Sequence, residues 1–117
     1  MGKILEERIT VNDLANSIPL IQRAKHGGNL RFGTHALLRM FERRVSVERI
    51  EQVLDCASVE VLENYPKIGL EQSKCLILGV DDQGIQMHVS VTYPHVEVIT
   101  MYEPTPPYWI TPRQRGK

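Results

Sequence analysis

Cysteine is scarce in this 117-residue chain: only Cys56 and Cys75 are present, far apart and in no metal-ligand spacing. Their scarcity excludes a disulfide scaffold and a cysteine metal cluster, and both read as reduced, packed thiols. Four scattered histidines (His26, His35, His88, His95) add no zinc signature. No apolar run approaches the roughly 20 residues of a membrane helix. The opening Met-Gly-Lys-Ile-Leu-Glu-Glu-Arg holds no stretch resembling a signal peptide. The expectation is a cytoplasmic protein with no membrane partner. There is no Gly-rich phosphate loop, nucleophile elbow or dinucleotide fingerprint, so neither a cofactor nor a metal is expected. Charge of one sign is also lacking: 14 Lys and Arg balance 14 Asp and Glu. That balance argues against a dedicated nucleic-acid binder.

What is present is ordinary globular material, 42% hydrophobic and 24% charged, sized for one domain with its own core. The charges are unevenly distributed. Residues 22–49 carry seven Lys or Arg against two acids, and residues 50–104 carry nine acids against two bases. Such polarity suits an anionic ligand on one side or pairing with another charged protein, unless folding interleaves the signs.

The chain is organised around Thr34–Arg44, which reads as a short helix. Stepping about 100° per residue from His35 places Arg39, Glu42 and Arg43 at roughly 40°, 340° and 80°. Leu37, Met40 and Phe41 fall at roughly 200°, 140° and 240°, on a side that can enter a core. One face therefore offers an imidazole, a carboxylate and two guanidiniums.

Before this helix, Val11, Leu14, Ile18 and Ile21 give helical periodicity, capped by Thr10 or Asn12 and ended by Gly27-Gly28. Pro19 either kinks that helix or starts a second. Residues 1–10 read as a frayed arm or a short edge strand, and Leu30-Arg31-Phe32 as an extended lead-in. Thr34 suits the N-cap of the central helix, and Ser46 caps a following helix whose buried stripe is Val47, Ile50, Val53 and Leu54. Two helices joined so closely resemble a helix-turn-helix, but Glu48, Glu51 and Asp55 on the second would repel phosphates, which argues against DNA reading. Val59–Tyr65, Cys75–Val80, Ile85–Tyr93 and Val96–Tyr102 read as strands, with a hairpin turn at Asp81–Gly84. In Ile85–Tyr93 the apolar residues alternate with Gln86, His88, Ser90 and Thr92, so part of one sheet face is expected to be wet or to line a cleft. Tyr108 and Trp109 read as anchors of an extended Pro-rich segment.

Phe32-Gly33-Thr34-His35-Ala36, Arg39-Met40 and Glu42-Arg43-Arg44-Val45-Ser46 resemble the F-T-x-H-A-x-x-R-M-x-x-R-x-I-S opening of the bacterial domain-of-unknown-function family 4258. Met87-His88-Val89-Ser90-Val91 is similar to its L-H-V-V-V strand, and Val98–Pro104 with Trp109 to its closing I-I-T-V-Y-x-P…W. The match covers roughly residues 30–109. It implies an α+β fold: two short helices packed on a three- to four-stranded antiparallel sheet, similar to the BrnT and RelE-like toxins, plus an N-terminal helical segment. The implied organisation is a helical extension over 1–29, one domain over 30–109 and a basic flexible tail over 110–117. Where the family often has Gly after the second Arg, this chain has Arg44-Val45, so the turn is made without glycine's freedom.

By fold analogy the resemblance implies a toxin-like, metal-independent RNA endonuclease with RNA and an antitoxin-like protein as partners. Such chemistry needs a base, an acid and cations for the phosphorane. His35 or His88 can be acid or base, Glu42 a base, Arg39 and Arg43 a phosphate grip, and Tyr102 a hydrogen-bonding support. Each has a plain alternative. His35 can fix the helix start, Arg39 and Glu42 can pair on the surface, and His88 and Tyr102 can be sheet and core residues. A non-catalytic binding module, pairing with a partner or as a homodimer, is the competing expectation.

Overall fold

The computed structural model describes residues 11–67 and 72–116, with side chains from Ser17 onward. The expected arm over residues 1–10 and the Thr10 or Asn12 cap lie outside the described residues or side chains.

Helix α1 (Val11–His26) runs unbroken with Pro19 inside it. Pro19 faces solvent, while Ser17 and Ile21, one turn apart, are buried. The helix packs on a later helix, Val47–Asp55, and on strands Glu60–Tyr65 and Gln86–Tyr93. It ends as the glycines require: Gly28 takes φ 73°, and the Asn29 amide donates to the Ala24 carbonyl at 2.8 Å.

The lead-in then becomes a strand. β1 (Arg31–Phe32) pairs in parallel with β5 (Glu97–Tyr102), and with β2 (Glu60–Tyr65), β3 (Ser73–Val80) and β4 (Gln86–Tyr93) they form one five-stranded sheet in the order β1-β5-β4-β3-β2. The sheet is therefore mixed and larger than the three to four antiparallel strands expected. Two residues are too few to show alternation, and their partner lies at the far end of the sequence.

Helix α2 (Thr34–Arg43) follows at once. Its N-cap is Gly33, not Thr34, with no side-chain cap. The Gly33 amide donates to the Val98 carbonyl at 3.1 Å, and a Cβ there would come within 2.8 Å of a Glu97 carboxylate oxygen. The helix rests on β5. Of its apolar residues Ala36 and Met40 are buried, but Leu37 and Phe41, expected in the core, are 52% and 84% exposed. A helix lying over a strand near the sheet margin meets protein on one narrow arc only. Arg44 closes it in the left-handed conformation (φ 56°, ψ 47°), its amide donating to the Met40 and Phe41 carbonyls.

Helix α3 (Val47–Asp55) is capped as expected, the Ser46 hydroxyl accepting from the Arg49 amide at 3.1 Å. Ile50, Val53 and Leu54 are buried. Val47, expected in the same stripe, is 37% exposed. α3 lies so close to β3 that a Cβ on Gly79 would stand 2.3 Å from the Val53 carbonyl oxygen.

β2 (Glu60–Tyr65), β3 (Ser73–Val80), β4 (Gln86–Tyr93) and β5 (Glu97–Tyr102) are antiparallel neighbours. Asp81 organises the β3–β4 turn, its carboxylate accepting from the amides of Gln83 and Ile85, both at 2.9 Å. Met87, Val89, Val91 and Tyr93 join the core with the helices. On the opposite face Ser90 and Thr92 are half-buried, but His88 is fully buried. The cover is a hairpin, β6 (Trp109–Thr111) with β7 (Gln114–Arg115). All of it but Trp109 lies in the 110–117 stretch expected as a basic flexible tail, of which residues 110–116 are described. Trp109 is buried, and Arg113 and Arg115 pair with Glu60 and Glu63 of β2. Tyr108, expected to anchor, is 77% exposed.

Candidate functional site

Helix α2 (Thr34–Arg43) brings His35, Arg39 and Glu42 together as the spacing implies. Arg39 is the centre. Its Nε donates to His35 Nε2 at 3.3 Å, one turn back, and its Nη1 donates to Glu42 Oε1 at 2.8 Å, one turn on. A ring nitrogen that accepts carries no proton, so His35 is placed with its proton on Nδ1. His35 and Glu42 are exposed and Arg39 is half-buried. The row is thus hydrogen-bonded in series and open to solvent. Arg43 reaches the sheet, where its Nη1 donates to the Met101 carbonyl of β5 at 2.5 Å.

His88 and Tyr102 form a separate group on the far side of the sheet, brought level by the β4–β5 register. Pro112 O can only accept, so His88 Nε2 donates to it at 2.7 Å. The Nδ1 of the neutral ring then accepts from the Tyr102 hydroxyl at 3.4 Å. Tyr102 in turn bonds the Trp109 side chain, whose ring stands edge-on to His88 with centroids 4.3 Å apart. Burial lowers the His88 pKa against the opposing pull of Pro112 and the Glu63 charge. Burial pushes the Tyr102 hydroxyl up, and the Arg43 charge is among the influences lowering it. Arg115 locks the cover, donating to both Glu63 oxygens at 2.6 and 2.7 Å and lying 4.7 Å from the Trp109 ring centre. The Arg115 bond holds the Glu63 carboxyl below its usual range.

His35, Arg39 and Glu42 are therefore together, and His88 and Tyr102 are together. Arg43 reaches from the first group toward the second. His26 and His95 are exposed, as expected, His26 lying 3.2 Å from Asp55. Burial pushes the Cys75 thiol up to about 12, so it is an inert core group. Trp109, Pro112, Arg115 and Glu63 were not foreseen as partners of His88. The only signal for them was the alternation of acids on β2 and arginines in the tail.

An open depression of about 450 Å³ lies elsewhere, between α1, α3 and the β3–β4 turn, lined by Glu48, Glu51, Asp55, Asp81 and Asp82 among others. Its acidity makes it a poor seat for an anion, and it includes no residue of α2. Among the described residues no group of three His, Cys, Asp or Glu is placed to hold a metal ion. No described helix is long and apolar enough to cross a membrane.

A family model described as Domain of unknown function (DUF4258) matches residues 32–103. The chain belongs to this family. The DUF4258 region runs from β1 to just beyond β5, so it contains α2, α3 and all six candidate residues from His35 to Tyr102. Helix α1 and the β6–β7 hairpin lie outside it, and with them Trp109, Pro112 and Arg115. No curated protein and no solved structure matches the chain.

Proposed function

We propose that this DUF4258 chain is a toxin-like RNA endonuclease that works without a metal, in a fold of the BrnT and RelE type. The observation that carries the reading is the exposed His35–Arg39–Glu42 row with Arg43 beside it. Arg39 holds a phosphate, which takes the place of Glu42 on its fork, and Arg43 adds to the grip through the guanidinium N–H groups that the Met101 carbonyl does not engage. Glu42, released, takes the proton from a ribose 2′-hydroxyl. The oxygen attacks the adjacent phosphorus, and the bond to the 5′-oxygen breaks. That oxygen leaves with a proton delivered by the imidazolium form of His35, whose Nε2 takes up a proton once the phosphate draws Arg39 away, giving a 2′,3′-cyclic phosphate and a 5′-hydroxyl. Tyr102 and the sealed His88 act as positioning residues, since both His88 nitrogens are engaged and neither meets solvent. They fix the end of β5 whose Met101 carbonyl holds Arg43.

The test is incubation of the purified chain with a mixed RNA in EDTA, beside the His35→Ala/Arg39→Ala variant, repeated with ribosomes present. The expected result is cleavage by the wild type, cyclic-phosphate ends, and loss of cleavage in the variant. Retained cleavage in the variant overturns the site assignment, and no cleavage under either condition overturns the nuclease reading.

A further inference from the structure

The apolar side of α2 is the largest unused feature of the helix. Leu37 and Leu38 are about half exposed and Phe41 is 84% exposed. Leu37, Phe41 and Arg44 are spaced i, i+4, i+7, so they form one stripe along the helix. Its C-terminal end is Arg44, an exposed cation with no ion-pair partner among the described residues. Arg44 is also the one non-glycine residue among those described with positive φ. A left-handed position there favours glycine, yet this chain carries a guanidinium at it. At the other end of the helix stands a carboxylate, exposed Glu97, lying against Gly33.

We infer that this stripe is the seam of an antiparallel α2–α2 dimer, with a second copy of the chain as its occupant. The stripe is centred near residue 39. Arg44 lies five residues beyond that centre and Thr34 five residues before it. A two-fold axis through the centre therefore sets Arg44 of one copy level with the Gly33–Thr34 end of the other, where Glu97 stands. The match repeats on the other side of the axis, so the surface is self-complementary and the contact closes. Apolar residues sit in the middle and one opposite-charge pair sits at each end, the arrangement of core and rim found in interfaces. His35 and Arg39 point more than about 90° away from the seam, so the inference does not depend on the nuclease reading. A seam of one helix per copy belongs to the small, weak class of interfaces.

The test is sedimentation equilibrium of the full chain from about 1 μM to about 1 mM, the range of weak association. The wild type is expected to dimerise with concentration, and Phe41→Asp to remain monomeric with an unchanged melting curve. Arg44→Glu and Glu97→Arg each weaken the dimer about tenfold. The double variant Arg44→Glu/Glu97→Arg restores it to within about threefold. A wild type that is monomeric throughout overturns the inference, as does a dimer that survives Phe41→Asp. A dimer that both single charge reversals weaken but the double variant does not rescue overturns the antiparallel arrangement. Binding of another protein to the stripe by a wild type that never self-associates would assign the surface to that partner instead.

Discussion

Helices α2 and α3 are consecutive, nearly equal in length and similarly patterned, yet they are used in opposite ways. α3 sits over β3 and β4 in the middle of the sheet, and Ile50, Val53 and Leu54 all disappear into the core. α2 sits over β5, and only Ala36 and Met40 do so. The polar residues differ too. Arg49 of α3 is tied to Asp81 and Glu103, each at 2.9 Å, whereas among the described residues the α2 row is bonded within its own helix apart from Arg43. The pair shows that an amphipathic pattern says a helix has two faces, and that its place over the sheet decides which residues are covered. α3 gives most of its apolar face to the core, and α2 keeps most of its own exposed.

The sharpest break of this contrast is truncation of one apolar residue in each helix. Ile50→Ala is expected to cost about 2–5 kcal/mol in denaturant unfolding, because it opens a cavity in a closed core. Phe41→Ala, measured on dilute protein, is expected to stay within about 0.5 kcal/mol of the wild type. Equal losses would mean that α2 is buried after all.

Removing the anchor of α3 comes next. Arg49→Ala leaves the buried Asp81 carboxylate without its cation and is expected to cost about 1–3 kcal/mol by thermal melting. Burial alone would raise the Asp81 pKa, but the amides of Ile85 and Gln83 and the Arg49 guanidinium together hold it below its ordinary value of 3.8. A folded-state value below the unfolded one means the unfolded chain binds the proton first. This contribution is therefore complete above the ordinary value and is lost as pH falls through the folded one. Asp81→Asn should flatten that part of the acid-unfolding profile, and an unaltered profile would show that the clamp is not felt.

How much of this was legible follows from how local each signal is. The Ser46 cap, the β3–β4 turn and the alternation of β4 depend on neighbours within a few residues, and they stand as the sequence implies. The exposure of Leu37 and Phe41 depends on where β5 lies, which no helical period encodes. The parallel β1–β5 pair joins Arg31 to Glu97, far apart along the chain. The His88 cover comes from residues more than twenty positions later. Of the candidate site, the His35–Arg39–Glu42 row was legible because one helix carries it. The sealing of His88 was not, since it needs a hairpin that a short basic Pro-containing stretch does not announce.

Two smaller effects sharpen the comparison at the helix junction. Ser46→Ala removes the α3 cap and is expected to cost about 1 kcal/mol in urea unfolding. Arg44→Gly relieves the left-handed position at the end of α2 and is expected to gain about 0.5–1 kcal/mol in the same measurement. A loss on Arg44→Gly would show that the arginine side chain supports the monomer's own fold.

The margins of the sheet carry one more consequence. A bare β-strand edge is a template on which foreign strands can polymerise. Here β1 hydrogen-bonds the start of β5, and Arg43 occupies the Met101 carbonyl further along. On the far side the ladder between Val61 and Glu63 is broken by a bulge, and two arginines of the hairpin are clamped across the acids of β2. Among the described residues, each margin is thus interrupted, one by β1 and Arg43 and the other by the bulge and the hairpin arginines. Features of this kind hinder the edge-to-edge pairing from which fibrils grow.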